Sequence, residues 1–164
     1  MIKGFHHAAY RCRDSEATRA FYEDFLGCPL IAALPVSRTA SGRPVRLLHT
    51  YFHLGDGTYI AFFEDRDRPF DFKPQHDFDL HVSFEVDEAA LIGMTEKARD
   101  RGIECRGVVD HGFIRSIYLR DPNGYVVELA ARTDRHDLML NAKRNGARAV
   151  LAEWQQAKAD LTPA

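Results

Sequence analysis

The fold is decided by a stretch that occurs twice in the chain, first as FHHAAYRC at residues 5–12 and again as LHVSFEV at residues 80–86. Both copies are rich in apolar and β-favouring residues, and each predicts a β-strand. Superposing the two copies places His7 on His81. The chain therefore contains an internal repeat, and each half of it carries a histidine at the same position of its first strand.

The residues after each of these strands predict a helix. Asp14 and Asp87 are placed to cap the helix N-termini, and apolar side chains follow at helical spacing until Gly27 and Gly102 end the two helices. Further strand candidates come next, and both halves read β-α-β-β-β. These candidates are residues 29–34, 45–54 and 58–64 in the first half, and 104–109, 113–120 and 125–131 in the second.

The composition limits the class of protein. The chain has 164 residues, of which 45% are hydrophobic, and a net charge of −2, so we expect a folded domain that binds neither nucleic acid nor a membrane. Three scattered cysteines match no disulfide framework or zinc spacing, and the N-terminus lacks a signal-peptide core. We expect a cytoplasmic protein with reduced thiols.

His7, His81 and Glu128 are the candidate metal ligands. Glu128 lies in the strand that follows the turn Asp121-Pro122-Asn123-Gly124, between apolar neighbours. Burying a carboxylate there is costly unless it is paired or binds a metal. Two imidazoles and one carboxylate leave positions open on an octahedral ion, an arrangement suited to Fe(II). A structural role for any one of the three is the alternative.

The paired repeats resemble the vicinal oxygen chelate superfamily, which includes glyoxalase I, extradiol dioxygenases, fosfomycin-resistance enzymes and bleomycin-binding proteins. The resemblance runs from about Ile2 to Ala131 and is most distinctive at residues 121–128, DPNGYVVE. It implies an α+β fold in which two β-α-β-β-β modules pair into a curved, half-open sheet around a metal site, with an extra C-terminal helix. It also implies that His7, His81 and Glu128 bind the metal.

A single domain over residues 1–164 follows. Module one would span residues 2–64, a linker 65–78, module two 79–132 and a helical tail 133–164. In the tail, Ala147, Val150, Leu151 and Trp154 predict an amphipathic helix that docks on the body or on a second subunit.

The position that supplies a fourth ligand in glyoxalase-like members is matched by Ala61, which cannot bind a metal. Glu64, three residues further on, is expected on the opposite face of that strand. A three-ligand set is similar instead to those of the extradiol dioxygenases and the fosfomycin-resistance enzymes. Tyr118 stands ten residues before Glu128, as a substrate-binding tyrosine does in the dioxygenases. His111 would be the counterpart of their pocket histidine.

The resemblance implies an Fe(II)-dependent extradiol dioxygenase that cleaves a small catecholic aromatic with O2, as a homodimer. Tyr118 and His111 would be catalytic, and His53 and Arg115 would bind substrate. A core position for Tyr118 and surface positions for the other three are the alternatives. Thr58 falls near the position of the dioxygenases' acid–base histidine, a departure from their pattern. The alternative functions are a Mn-, Ni- or Zn-dependent lyase, isomerase or thiol transferase, and a ligand-sequestering resistance protein.

Overall fold

The computed structural model describes residues 1–74 and 76–160, so Gln75 of the expected linker and the last four residues of the expected tail lie outside the described residues. The predicted α+β fold with two β-α-β-β-β modules is confirmed. The strands are β1 (His7–Arg11), β2 (Leu30–Arg38), β3 (Pro44–His53), β4 (Tyr59–Asp65), β5 (His81–Glu85), β6 (Cys105–Asp110), β7 (Ile114–Arg120) and β8 (Val126–Arg132). The helices are α1 (Ser15–Arg19), continued by a π-helical segment (Ala20–Phe25), then α2 (Glu88–Asp100), α3 (His136–Met139) and α4 (Ala147–Asp160).

Each module contributes its own four-stranded sheet. The strand orders are β1-β4-β3-β2 and β5-β8-β7-β6, so β1 and β5 occupy equivalent edge positions. Each first strand pairs in parallel with the last strand of its module, and the remaining pairs are antiparallel. The internal repeat read from the sequence is thus a repeat of topology.

The helices begin where the two aspartates predict. Asp14 accepts a hydrogen bond from the backbone N–H of Ala17 at 2.7 Å, and Asp87 accepts one from Ala90 at 2.6 Å. These caps satisfy N–H groups that have no partner within the helix. The strand β2 runs further than predicted, to Arg38, because its polar end still pairs with Pro44 of β3.

One apolar core joins the two modules. It contains Phe62 of β4, Tyr22 of the π-helical segment, Leu91 of α2 and Val127 of β8, all of them fully buried. The helix-bearing faces of the two sheets therefore pack toward a common interior. Because side chains alternate along a strand, the neighbours of these core residues on each strand point away from it.

A polar turn between β7 and β8 ties the modules together. The Asn123 side chain accepts a hydrogen bond from the Arg13 backbone N–H at 2.8 Å and donates one to the Thr18 hydroxyl at 3.2 Å. Tyr22 donates its phenolic hydrogen to the buried Asp121 carboxylate at 3.3 Å. These buried polar groups are satisfied across the module boundary, which fixes the orientation of one module against the other.

The tail forms the helix that its periodicity predicts. Val150, Leu151 and Trp154 remain 58–66% exposed, and α4 presents no buried side chain among its described residues. Within the described part of the chain, no helix is long and apolar enough to cross a membrane.

Candidate metal centre

His81 and Glu128 meet on the outer face of the second sheet. His81 opens β5, and Glu128 lies on the adjacent strand β8, where it is paired in register with Ser83. The imidazole Nε2 of His81 is 3.4 Å from the Glu128 carboxylate. The other ring nitrogen, Nδ1, is 3.0 Å from the Asp77 carbonyl oxygen. Because a carbonyl only accepts, that contact places a hydrogen on Nδ1, and Nε2 is the ring nitrogen that faces the carboxylate.

The Glu128 side chain is held in an apolar strand. Its carboxylate is only about 6% exposed, and its neighbours Val127 and Leu129 are anchored in the core. A buried carboxylate beside an imidazole nitrogen is poorly compensated unless a proton or a cation lies between them. Two of the three predicted ligands, His81 and Glu128, thus have their donor atoms adjacent, and an imidazole nitrogen with a carboxylate is a ligand pair that divalent metals bind.

Tyr118 and His111 extend this face. Tyr118 is the register partner of Glu128 on β7, and its hydroxyl lies 2.8 Å from Nε2 of His111. Burial, and next the negative charge of Glu128, raise the pKa of Tyr118 above its ordinary value. The phenol therefore stays protonated near neutral pH and is available as a hydrogen-bond donor. The guanidinium of Arg106, on the edge strand β6, lies 4.5 Å from the centre of the Tyr118 ring.

His7 lies on the first sheet, in a different set of contacts. Its Nδ1 is 2.7 Å from Nδ1 of His6, and its ring is 5.5 Å from that of Tyr51. His49 stacks on Phe63 at 3.6 Å, and its Nε2 is buried with no hydrogen-bond partner among the described residues. Burial, and next the nearby charge of His7, lower the pKa of His49, so its imidazole is neutral at ordinary pH.

The three predicted ligands are not assembled within one chain. Among the described residues, no three histidine, cysteine, aspartate or glutamate side chains are grouped as a metal site. Both outer faces point away from the common core, and they carry His7 on one sheet and the pair His81 and Glu128 on the other. A single copy therefore presents two incomplete parts of a site.

The two predicted substrate-binding residues lie apart from Tyr118. Arg115 forms an ion pair with Glu88 at the beginning of α2, on the helix side of β7. His53 ends β3, 5.7 Å from the ring of Tyr59, and lines a cleft between the modules that His81 also borders. The structure thus places neither residue on the face formed by Tyr118 and Glu128.

The two residues considered for a fourth ligand, Ala61 and Glu64, both contribute to the fold rather than to the metal-binding face. Ala61 is fully buried, and the Glu64 carboxylate accepts a hydrogen bond from the Ser15 backbone N–H at 2.7 Å, where it supports the first turn of α1.

Arg106 was not predicted as a site residue. Its register pairing with Tyr118 is the signal that identifies it, and this pairing becomes visible only when the strands are aligned.

The chain belongs to the glyoxalase, bleomycin resistance protein and dioxygenase superfamily, whose family model matches residues 4–129. This match confirms the superfamily that the repeat and the turn–strand motif indicate. No curated protein has a sequence that matches this one.

Solved structures share the fold. A glyoxalase/dioxygenase from Nostoc punctiforme is 26% identical, with a TM-score of 0.62, over 80% of this chain and 92% of that one. A glyoxylase/bleomycin resistance protein/dioxygenase domain from Frankia is 20% identical, with a TM-score of 0.65, over 81% and 100%. The fosfomycin resistance protein FosX from Listeria monocytogenes, solved with Mn(II) and sulfate, is 22% identical, with a TM-score of 0.62, over 84% and 99%.

Proposed function

We propose that the protein is a metal-dependent enzyme whose site is completed between two copies of the chain. His7 of one copy would join His81 and Glu128 of the other copy. The support is that the outer faces of the two sheets point away from a shared core, and that the described residues of one chain group no three potential ligands. Pairing the outer face of module one with that of module two in a second copy brings the three donors together. A homodimer of this kind has two equivalent sites.

The residues fit a divalent ion by their chemistry. His81 directs its Nε2 toward Glu128, Glu128 is a buried carboxylate, and His7 is an exposed imidazole on an edge strand. Two imidazoles and one carboxylate suit Fe(II) and also accept Mn(II). When bound, the metal supplies Lewis acidity and open coordination positions for a substrate with two adjacent oxygens.

The reaction we propose is extradiol cleavage of a catecholic aromatic by O2. Both oxygen atoms enter the product as the ring opens, so the overall reaction needs no external reductant. The hydrogen bond between His111 and Tyr118, beside Glu128, is the observation that carries this proposal. The Tyr118 hydroxyl would donate to a substrate oxygen and orient the ring. His111, exposed at the edge of the face, would donate its Nε2–H to the Tyr118 oxygen, which directs the Tyr118 hydrogen at the substrate, and its Nδ1 would exchange a proton with solvent.

Oxygen uptake by the full-length protein tests this reaction. The chain would be purified without oxygen, loaded with Fe(II), analysed for metal and mixed with a panel of catechols. We expect uptake with at least one catechol and a loss of about a hundredfold in kcat/KM in Tyr118→Phe. Tyr10→Phe, which alters a tyrosine on the helix side of β1, is the matched control and should retain activity. Absence of uptake with every catechol by the iron-loaded protein would refute ring cleavage.

A second candidate is Lewis-acid chemistry on an anionic substrate with two chelating oxygens. Arg106 favours it, since its guanidinium lies over Tyr118 on the metal-binding face and supplies a positive charge beside the substrate position. The Listeria monocytogenes structure contains both Mn(II) and sulfate, a metal and an anion of the kinds this candidate requires. Turnover of such a substrate by Mn(II)-loaded protein without oxygen would favour this candidate over ring cleavage.

A further inference from the structure

The helix α4 presents an apolar stripe that its own chain leaves uncovered. Val150, Leu151 and Trp154 lie on one side of the helix and are 61%, 58% and 66% exposed. Single exposed apolar residues are ordinary, whereas a contiguous stripe that includes a tryptophan marks an interaction surface. The stripe therefore needs a partner surface of apolar character.

The segment that leads to α4 is ordered by its own hydrogen bonds. Thr133 anchors the start of the tail on the β6–β7 turn, with its N–H 3.0 Å from the Phe113 carbonyl oxygen. Asn145 then joins α3 to α4: its side-chain N–H group donates to the Met139 carbonyl at 3.1 Å, and its side-chain oxygen accepts from the Ala147 N–H at 3.1 Å. These bonds order the segment up to the first residue of α4, while Val150, Leu151 and Trp154 stay exposed in their own chain.

A cleft of about 1220 Å³ between the modules has the matching apolar character. Its apolar lining comes from the helix sides of both modules and includes Tyr10, Leu26, Leu54, Val82, Phe84 and Met94. Tyr118 and Glu128 are not among its lining residues, whereas His81 and Ser83 are, so the cleft adjoins the metal-binding face along β5. Within the described residues, an apolar cleft and an apolar helix stripe are both left unpartnered.

The charges around the two surfaces are complementary. The cleft is bordered by four carboxylates: Glu85 and Glu88 form ion pairs with Arg132 and Arg115, whereas Asp56 and Asp87 have no ion-pair partner among the described residues. The start of α4 and the turn before it carry Lys143, Arg144 and Arg148, all in the exposed part of the tail. Opposite charges at the rim of an apolar contact steer association and fix its orientation.

We infer that α4 of one copy inserts its apolar stripe into the cleft between the modules of a second copy, and that the two copies exchange these helices. The exchange follows from two-fold symmetry, because each copy carries both a helix and a cleft. It extends the dimer suggested for the metal site but does not depend on a metal. The occupant is specified as α4 of a second copy, and docking of α4 on its own chain is the competing outcome.

The single tryptophan of the chain makes this inference directly testable. Trp154 fluorescence and its quenching by acrylamide would be followed while sedimentation reports the oligomeric state. We expect Trp154 to be shielded in the dimer and Leu151→Asp to expose it, with at least about a tenfold weaker dimer. Ala152→Asp, the same kind of change on the opposite side of α4, should alter neither measurement. Shielding that persists in monomers, or a dimer unaffected by Leu151→Asp, would overturn the inference.

The location of the contact is tested by thiol alkylation. Cys28 lines the cleft, whereas Cys105 is half-buried outside it and serves as the internal control. Leu151→Asp should accelerate alkylation of Cys28 about tenfold or more, since an inserted helix excludes the reagent, and should leave Cys105 unchanged. Equal rates for Cys28 in the native chain and in Leu151→Asp would place the helix elsewhere. At a protein concentration at which it remains dimeric, His7→Ala should lose metal yet keep Trp154 shielded, so failure of the metal site and failure of the helix exchange are distinguishable.

Discussion

Complementation between two inactive variants tests the metal site shared by two copies. His7→Ala and His81→Ala each remove one proposed ligand, so each homodimer should lose its metal. In a mixed dimer of the two variants, one site combines both substitutions, while the other has His7 and His81 intact. The mixed dimer, co-expressed with two tags and purified through both, should therefore contain about half of the wild-type metal and activity.

The reciprocal dimer supplies the control for this prediction. A chain that carries both substitutions, paired with a wild-type chain, has one defective ligand in each shared site and should bind almost no metal. A site built within one chain gives the opposite pattern: the mixed dimer of single variants is empty, and the reciprocal dimer keeps about half. That opposite pattern would refute the reasoning from the outward-facing sheets.

Three further predictions concern the turn, the cleft and the ion. Asp121→Ala should lower the free energy of unfolding by about 2–4 kcal/mol in urea denaturation, because its carboxylate accepts four hydrogen bonds from buried or half-buried donors. Pro122→Ala, a change at the exposed neighbouring residue, is the control and should alter this free energy little. Burial raises the pKa of Cys28 to about 11, so its thiolate forms, and its alkylation accelerates, only as pH approaches that value. A rate that levels off near pH 9 by mass spectrometry would contradict that shift. Removing the metal with a chelator should weaken the dimer about tenfold or more in sedimentation, since the ion joins two copies, and an unchanged dissociation constant would exclude a bridging ion.

The modules and their capped helices were predictable because their signals are local. Each of these signals involves only a few neighbouring positions. They are the alternation of apolar residues along the strands, the helix caps at Asp14 and Asp87, and the turn at residues 121–124. The same locality explains why His81, Glu128 and Tyr118 share a face: they lie on neighbouring strands of one module.

The relation between the modules was not predictable in the same way. It depends on buried contacts between distant positions, such as Tyr22 with Asp121 and Asn123 with Thr18, and no sequence period encodes these. Similarly, the role of Glu64 is decided by the Ser15 N–H that it meets. The role of Arg115 is set by its ion pair with Glu88. The sequence pattern around a strand arginine is the same whether its side chain faces a substrate or the N-terminus of a helix.

The side chains of strand β8 alternate between the apolar core and the metal-binding face. Val127 and Leu129 belong to the core, and Glu128 between them belongs to the outer face. Inserting or deleting one residue in the turn at 121–124 would shift the register, and would turn the carboxylate into the apolar core and an apolar side chain onto the outer face. We therefore expect the length of this turn to tolerate no change, whereas the exposed hairpin at residues 39–43 should tolerate added or deleted residues.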